Sequence, residues 1–409
     1  MNGKPAFKSL AIGVACSLLC GTSVRAQIDP TSRELIQIGY NQALQGASPI
    51  SAYAFYYHNK PGWLRTNMTL RLAVAPVFVD TEVGFKSLLG ENTDVGFGFS
   101  GGGYGDSYSE IRQGKFLKEE SFDGHSAEVS ASVYHLFNPG QLLPVHGIGR
   151  VAMHHSIYER TERTATAFSI PDDRTSFNVR TGIRVGGREP VIAPDVALEL
   201  AVFYDGEFRT DAAPFGFAGD RDLSAQTHLF TARAQFVYTF PQMDQYVTLG
   251  LNLGTSIDAD RLSAFRLGGL LPFVSEDPLN LPGYFFQEIS ARQYVLLNGS
   301  YSLPLGGDTG FSLTAHGSVG SIGYVRGMDQ PGTFHAGVGG ALGYRTKADF
   351  VRVFLSYSYG FEAIRTDGRG AHSIGLLAQI DLERSARMKR LLNDPVAPFR
   401  SRGLFRMFQ

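Results

Sequence analysis

A side-chain period of two, held over runs longer than soluble sheets use, restricts this chain more than any other feature. In FVRVFLSYSYGFE, Val351, Val353, Leu355, Tyr357, Tyr359 and Phe361 fall on one face. Arg352, Ser356, Ser358, Gly360 and Glu362 fall on the other, because successive Cβ atoms of a strand point to opposite faces. At 226–240, Phe230, Ala232, Ala234, Phe236, Tyr238 and Phe240 oppose Thr227, Thr231, Arg233, Gln235 and Thr239. Between 195 and 205, Val196, Leu198, Leu200, Val202 and Tyr204 oppose Asp195, Glu199 and Asp205. Phe177, Val179, Ile183 and Val185 likewise face away from Asn178, Arg180 and Arg184, and Leu70, Leu72, Val74 and Phe78 from Asn67, Thr69 and Arg71.

Followed along the chain, the alternation predicts fourteen strands, near 50–58, 67–82, 93–103, 125–137, 143–156, 174–186, 195–207, 226–240, 245–257, 293–305, 310–324, 333–346, 350–363 and 370–382. Most run to about ten to fifteen residues, enough for a tilted strand to cross a bilayer, where soluble sheets use about five or six. Turn formers stand at the joints, as in Asn138-Pro139-Gly140, Gly306-Gly307-Asp308 and Thr366-Asp367-Gly368. The expected fold is all-β, a transmembrane antiparallel barrel of about 14 strands over 50–382, since closure leaves no unpaired backbone in lipid. A soluble β-sandwich is the rival, but its strands are shorter and a chain this long splits into two domains. Tyr53, Tyr56, Tyr57, Tyr238, Phe240, Tyr359 and Phe361 lie near strand ends, where interfacial girdles sit.

Composition agrees: 48 Gly, 30 Phe and 18 Tyr with only 18% charged residues suit strands whose faces meet different solvents. A net charge of -1 gives nucleic-acid binding no support. Residues 1–26 read as a signal peptide: Lys4 and Lys8, an apolar run from Leu10 to Leu19, then Val24 and Ala26 before the cut. Both cysteines, Cys16 and Cys20, fall inside it, so the chain beyond has no thiol for catalysis, disulfides or metal. Residues 27–49 read as a short periplasmic helical segment, with Leu35, Ile36, Ile38 and Leu44 on one face between a Ser32 cap and Gly46. Residues 383–409 form a basic periplasmic tail with seven basic residues against Glu383 and Asp394.

Three stretches carry a family resemblance. FRLGGLLPF…LPGYFFQE, from Phe265 to Glu288, is similar to the long extracellular loop that folds into the lumen of bacterial surface antigen barrels, the assembly, two-partner-secretion and patatin-fused barrels related to BamA. Its aromatic-x-Leu-Gly-Gly start is Phe265, Leu267, Gly268 and Gly269, its tip Gly283 and Tyr284, and Glu288 closes it. Phe334 to Phe361 is similar to the family's penultimate strands. Ser373, Gly375, Ala378, Ile380 and Leu382 resemble the terminal insertion signal.

The resemblance implies an outer-membrane protein, reached after signal-peptide cleavage, that inserts, translocates or passes substrates and is not an enzyme. Its implied partners are outer-membrane lipid and lipopolysaccharide, the barrel-assembly machinery and a periplasmic partner protein, with no cofactor and no nucleic acid. Two departures stand out. The family's tip carries an Arg before the Gly, reaching an acid in the barrel wall, where this chain has Pro282; a loop held by shape and by Glu288 is therefore expected. The family usually has sixteen strands after POTRA or patatin domains, and 27–49 is too short for a POTRA repeat.

Enzyme-like patterns are weaker. Gly96 to Gly101 fits G-x-G-x-x-G and Gly98 to Gly102 fits G-x-S-x-G, but both need a following helix that GGGYGDSYSE does not offer. His146 and His154 share a face with Arg150 while His155 points away, and no third metal ligand converges. A barrel-borne phospholipase or acyltransferase is the alternative function. The polar faces are rich in Arg: Arg71, Arg150, Arg180, Arg184, Arg233 and Arg352 against Glu128, Glu199 and Glu362. Two readings stand open, a positive lumen favouring anions, or Arg side chains holding the loop through Glu276, Asp277 and Glu288.

Overall fold

The computed structural model describes residues 28, 31–141, 143–187, 197–240, 245–271, 278–306, 309–347, 349–366 and 368–383. Sixteen antiparallel strands form the wall: β1 (Arg33–Ala43), β2 (Ser51–Pro61), β3 (Met68–Val74), β4 (Phe78–Phe85), β5 (Thr93–Gly102), β6 (Phe122–Leu136), β7 (Val145–Arg160) and β8 (Arg174–Gly186). They continue with β9 (Ala197–Arg209), β10 (Gln226–Phe240), β11 (Gln245–Ile257), β12 (Ile289–Leu305), β13 (Phe311–Tyr324), β14 (Phe334–Arg345), β15 (Val351–Arg365) and β16 (Gly368–Asp381). Each pairs with its sequence neighbours, and β1 pairs with β16 from Leu35↔Asp381 to Ala43↔Ser373, so the sheet closes. The insertion-signal strand is thus one side of the seam, with Gly375 opposite Asn41, Ala378 opposite Ile38 and Ile380 opposite Ile36, while Leu382 lies just beyond β16.

The count of fourteen is corrected to sixteen by two events. The stretch expected as one strand over 67–82 is a hairpin, β3 and β4, turning on Pro76-Val77 with Ala75 and Phe78 exchanging backbone hydrogen bonds at 2.7 and 3.4 Å. No Gly, Asn or Asp marks that turn, and Phe78 consequently lies on the same face as Arg71, not opposite it. The second event is β1. The expected N-terminal helix is a strand of the wall, its inward face Gln37, Gly39 and Asn41 and its outward face Ile36, Ile38 and Tyr40, which places it in the barrel and not in a periplasmic strut. The apolar residues that suggested a helical face fit either period; closure onto β16 selects the strand.

Alternation sorts the wall chemically. Val202 is 61% and Met153 57% exposed on the outer face, in a band with Leu200, Leu249, Leu297, Leu313 and Leu355. Inward positions carry Gln37, Glu199, Asn252, Ser302 and Gln379, all buried. An apolar exterior around a polar interior is the reverse of a soluble domain.

The buried apolar side chains gather inside the barrel. Phe265, Leu267, Leu281 and Tyr284 of the β11–β12 loop pack on Ile289, Tyr294 and Leu296 of β12, Ile322 of β13, Ala363 of β15 and Ala371 of β16. A second cluster, Tyr108, Phe122, Tyr158, Phe168 and Phe215, joins the long loops at one end of the barrel. The opposite, short-turn end holds the start of β1 and the end of β16. Residues 1–26 and 384–409, the expected signal peptide and most of the expected tail, lie outside the described residues, as do Glu276 and Asp277.

Candidate functional site

Phe265–Leu267 add a short strand to β12. Gly268 and Gly269 both have positive φ, 137° and 69°, and the chain returns past them with Gly268 N donating to Leu279 O at 3.1 Å and Leu281 N to Gly269 O at 2.9 Å. Glycine is required here because left-handed backbone strains any residue with a Cβ. The tip then meets the inner wall at a cross-strand glycine pair, Gly337 of β14 and Gly360 of β15. A Cβ on Gly337 would strike the Pro282 carbonyl, one on Gly360 the Tyr284 ring, and one on Gly283 the backbone of Gly360. Two missing side chains make the socket that the tip fills.

Polar groups fix it there. The Tyr284 hydroxyl meets His335 Nδ1 at 3.0 Å, and His335 Nε2 meets the Tyr324 hydroxyl at 2.5 Å. Burial, with the charge of Glu288 nearby, pushes the Tyr284 phenol well above its ordinary pKa. Glu288 accepts from Phe285 N at 2.7 Å and forms a bidentate pair with Arg365 at 2.9 and 3.0 Å. The side chains of Arg365 and Glu288 are 4% and 0% exposed, and the guanidinium lies 3.8 Å above the Phe285 ring centroid. The acid is on the loop and the Arg on the wall, the opposite polarity to the pairing that the resemblance implies.

Arg365 was not legible in the sequence. Counting from Tyr357 and Phe361 puts it on the outer face; a register irregularity between Gly360 and Ile364 rotates it inward. The signal available was indirect: a buried acid such as Glu288 demands a cationic partner.

The predicted lumenal charges mostly pair with one another along the wall. Arg71 holds Asp80 at 3.0 Å and Glu82 at 3.4 Å, Arg150 holds Glu128 at 2.6 Å, and Arg180 lies 3.6 Å from Asp205. Glu199 accepts from Arg233 and lies 4.0 Å from Arg184. Arg352 pairs with Asp349 at 2.5 Å, and Glu362 with Arg369 at 2.8 Å. The positive charge of the predicted arginines is neutralised by acids of the wall and its turns, which leaves the anion-favouring reading without support, whereas the second reading holds at Glu288, which a wall arginine outside the predicted set, Arg365, clasps.

The loop is also tied to its neighbours. Glu110, in the β5–β6 loop, is fully buried and receives Arg112 at 3.2 Å and Arg221 at 3.5 Å. Arg261, at the start of the β11–β12 loop, donates to the same carboxylate, and Arg221 and Arg112 both donate to Glu120. Arg266 reaches Ser109 O at 2.9 Å, and Ile111 packs on Phe285. Three loops thus share two carboxylates. Nearby, Asp260 ties Arg209 to the turn. Burial works to raise its carboxyl, and Arg209 with amide donors Ser224 and Ser263 overcomes this and holds it below the usual carboxylate range.

Enzyme-like arrangements stay incomplete. Gly96 to Gly102 lies within β5, with no helix after it. Ser358 and His316 Nε2 are 3.0 Å apart, but Ser358 is 2% exposed and His316 has no carboxylate partner among the described residues. Ser156 donates to Asp106 and not to His154, which sits between Asp106 at 2.8 Å and Glu128 at 3.2 Å. No cluster of three metal-binding side chains occurs among the described residues.

These features define a class: a closed sixteen-stranded barrel with an outward apolar band and a long loop packed inside. No protein-family model and no curated protein sequence matches the chain. Among solved structures, CdiB from Acinetobacter baumannii superposes with a TM-score of 0.58 at 9% identity over 86% of this chain. CdiB from Escherichia coli superposes at 0.55 and 12% identity, also over 86% of it. The chain spans 60% and 64% of the length of those two proteins. The fold agrees with the resemblance drawn from Phe265–Glu288, Phe334–Phe361 and Ser373–Leu382.

Proposed function

We propose that this chain is an outer-membrane barrel of the translocation or assembly type, with the short-turn end in the periplasm and the long loops outside. The seating of Pro282–Tyr284 against Gly337 and Gly360, clasped by Glu288 and Arg365, carries this reading. A loop that fills the lumen through a glycine socket and one buried ion pair is a plug whose removal opens the barrel. The fold shared with CdiB and the sequence resemblance to assembly and two-partner-secretion barrels support the same class. Partners of this reading are outer-membrane lipid, the barrel-assembly machinery and a periplasmic protein that delivers substrate.

Planar-bilayer recording of the purified chain, with and without residues 265–288, tests the proposal. Deletion should convert a low conductance with rare openings into a steady larger one; equal conductance would sink the plug.

A further inference from the structure

Four arginines are buried among the described residues: Arg174, Arg209, Arg221 and Arg365. Three of them have a carboxylate in hand, Arg209 with Glu207 at 2.8 Å, Arg221 with Glu110 at 3.5 Å and Arg365 with Glu288 at 2.9 Å. The side chain of Arg174, at the first position of β8 and 6% exposed, has neither an ion pair nor a hydrogen bond among those residues, and its Nη1 is shut off from solvent. Its guanidinium lies 5.3 Å over the Tyr158 ring. A ring face attracts a cation but brings no counter-charge, and a guanidinium taken out of water without one is strongly disfavoured.

Arg174 pairs across the sheet with Ser156, which puts its side chain on the lumenal face at the long-loop end. The next residue on that face, Ser176, is 4% exposed, and its hydroxyl also makes no hydrogen bond among the described residues. Residues two apart on a strand share a face and stand about 7 Å apart, so one small ion between them can accept from both. The charged groups around this pair are engaged. His154, opposite Ser176 on β7, lies between Asp106 and Glu128, and Arg209, opposite Ser176 on β9, holds Glu207 and Asp260. Asp106 also takes the Ser156 hydroxyl, and Asp173 takes Tyr158 N at 2.8 Å. One cation is left without an acid.

We infer that Arg174 and Ser176 hold a monovalent anion of halide size, chloride in ordinary media, on the lumenal wall below the long loops. A single unmatched guanidinium balances a single negative charge, whereas a phosphate dianion would bring an excess charge among cations that already have their acids. The sealed Nη1 favours a bare ion over the carboxylate of a larger solute. The ion is a resident of one site and gives the lumen no general preference for anions, because the wall's other paired arginines stay neutralised.

The test uses bromide, which replaces chloride and scatters anomalously. Crystals of the full chain grown in sodium bromide should show an anomalous peak within hydrogen-bond reach of the Arg174 guanidinium. In solution, the amides of Thr175 and Thr210, which tie the ends of β8 and β9 together, report the same ion. Their exchange should slow about tenfold between sodium gluconate and sodium bromide of equal ionic strength, with bromide at about ten times its half-saturating concentration. Arg174→Met should abolish both the peak and the bromide effect. Ser176→Ala should keep the peak and raise the half-saturating concentration about tenfold, as loss of a hydrogen bond to a charged partner does. Anomalous peaks at surface cations with none at Arg174, equal exchange of the wild type in the two salts, or a bromide effect that survives Arg174→Met would each overturn the inference. Should Arg174→Met fail to fold, the wild-type crystal decides the question by itself.

Discussion

Glu288→Gln removes half of a buried clasp, and the structure sets the size of the effect. Both side chains are almost wholly buried, and the pair is bidentate at 2.9 and 3.0 Å. Breaking such a pair strands an uncompensated guanidinium, a cost of about 3–5 kcal/mol. At about 1.4 kcal/mol per tenfold, the equilibrium for loop release moves by roughly a hundredfold to a few thousandfold. The assay is labelling of a single cysteine at Leu281→Cys, fully buried in the seated loop, by a bulky hydrophilic maleimide; Cys16 and Cys20, the chain's other thiols, fall in the expected signal peptide. Glu288→Gln should accelerate labelling by at least about a hundredfold. The double variant Glu288→Met/Arg365→Met replaces both charges by apolar side chains and should return labelling close to the parent rate, because replacing a whole buried pair is often neutral. An unchanged rate in Glu288→Gln would show that shape alone holds the loop and refute the clasp.

Gly360→Val should unseat the same loop without touching a charge, since its side chain would enter the Tyr284 ring; bilayer recording should then show the conductance of the loop deletion, with the barrel still heat-modifiable on gels. Glu110→Ala leaves Arg221 buried with Glu120 and, at 3.8 Å, the more exposed Asp220, and should loosen the three loops at a cost of about 3 kcal/mol, read as faster proteolysis within 103–121 and 210–225 while the strands stay protected. Asp260 has a carboxyl held below its ordinary value of about 3.9, so its contribution to loop stability is complete above that pH and lost as pH falls through the lower folded value. Amide exchange at Leu262 and Ser263, which both donate to Asp260 at 3.0 Å, should speed up on acidification below about pH 4, and Asp260→Asn should flatten that response. A dependence centred near neutrality would contradict the assignment.

What the sequence determined by itself is the two-sided chemistry of the wall. Leu355, Tyr357 and Phe361 against Arg352, Ser356 and Ser358 require a strand between an apolar and a polar medium, since every side chain's face follows from its parity. The infolded loop was expected from the resemblance of Phe265–Glu288 to the family's lumenal loop and from apolar residues that would be out of place in a loop exposed to water. Tertiary structure alone decided matters that rest on distant partners. β1 is a strand because β16, more than three hundred residues away, offers Gln379 to Gln37 at 2.6 Å and completes the ring. Arg365 faces the lumen because an irregularity in β15 shifts its parity, and the wall's arginines are neutral in effect because register sets Asp80, Glu128 and Asp205 beside them. Parity is a local property of the backbone; register and closure are set by pairing across the whole sheet, which no local pattern contains.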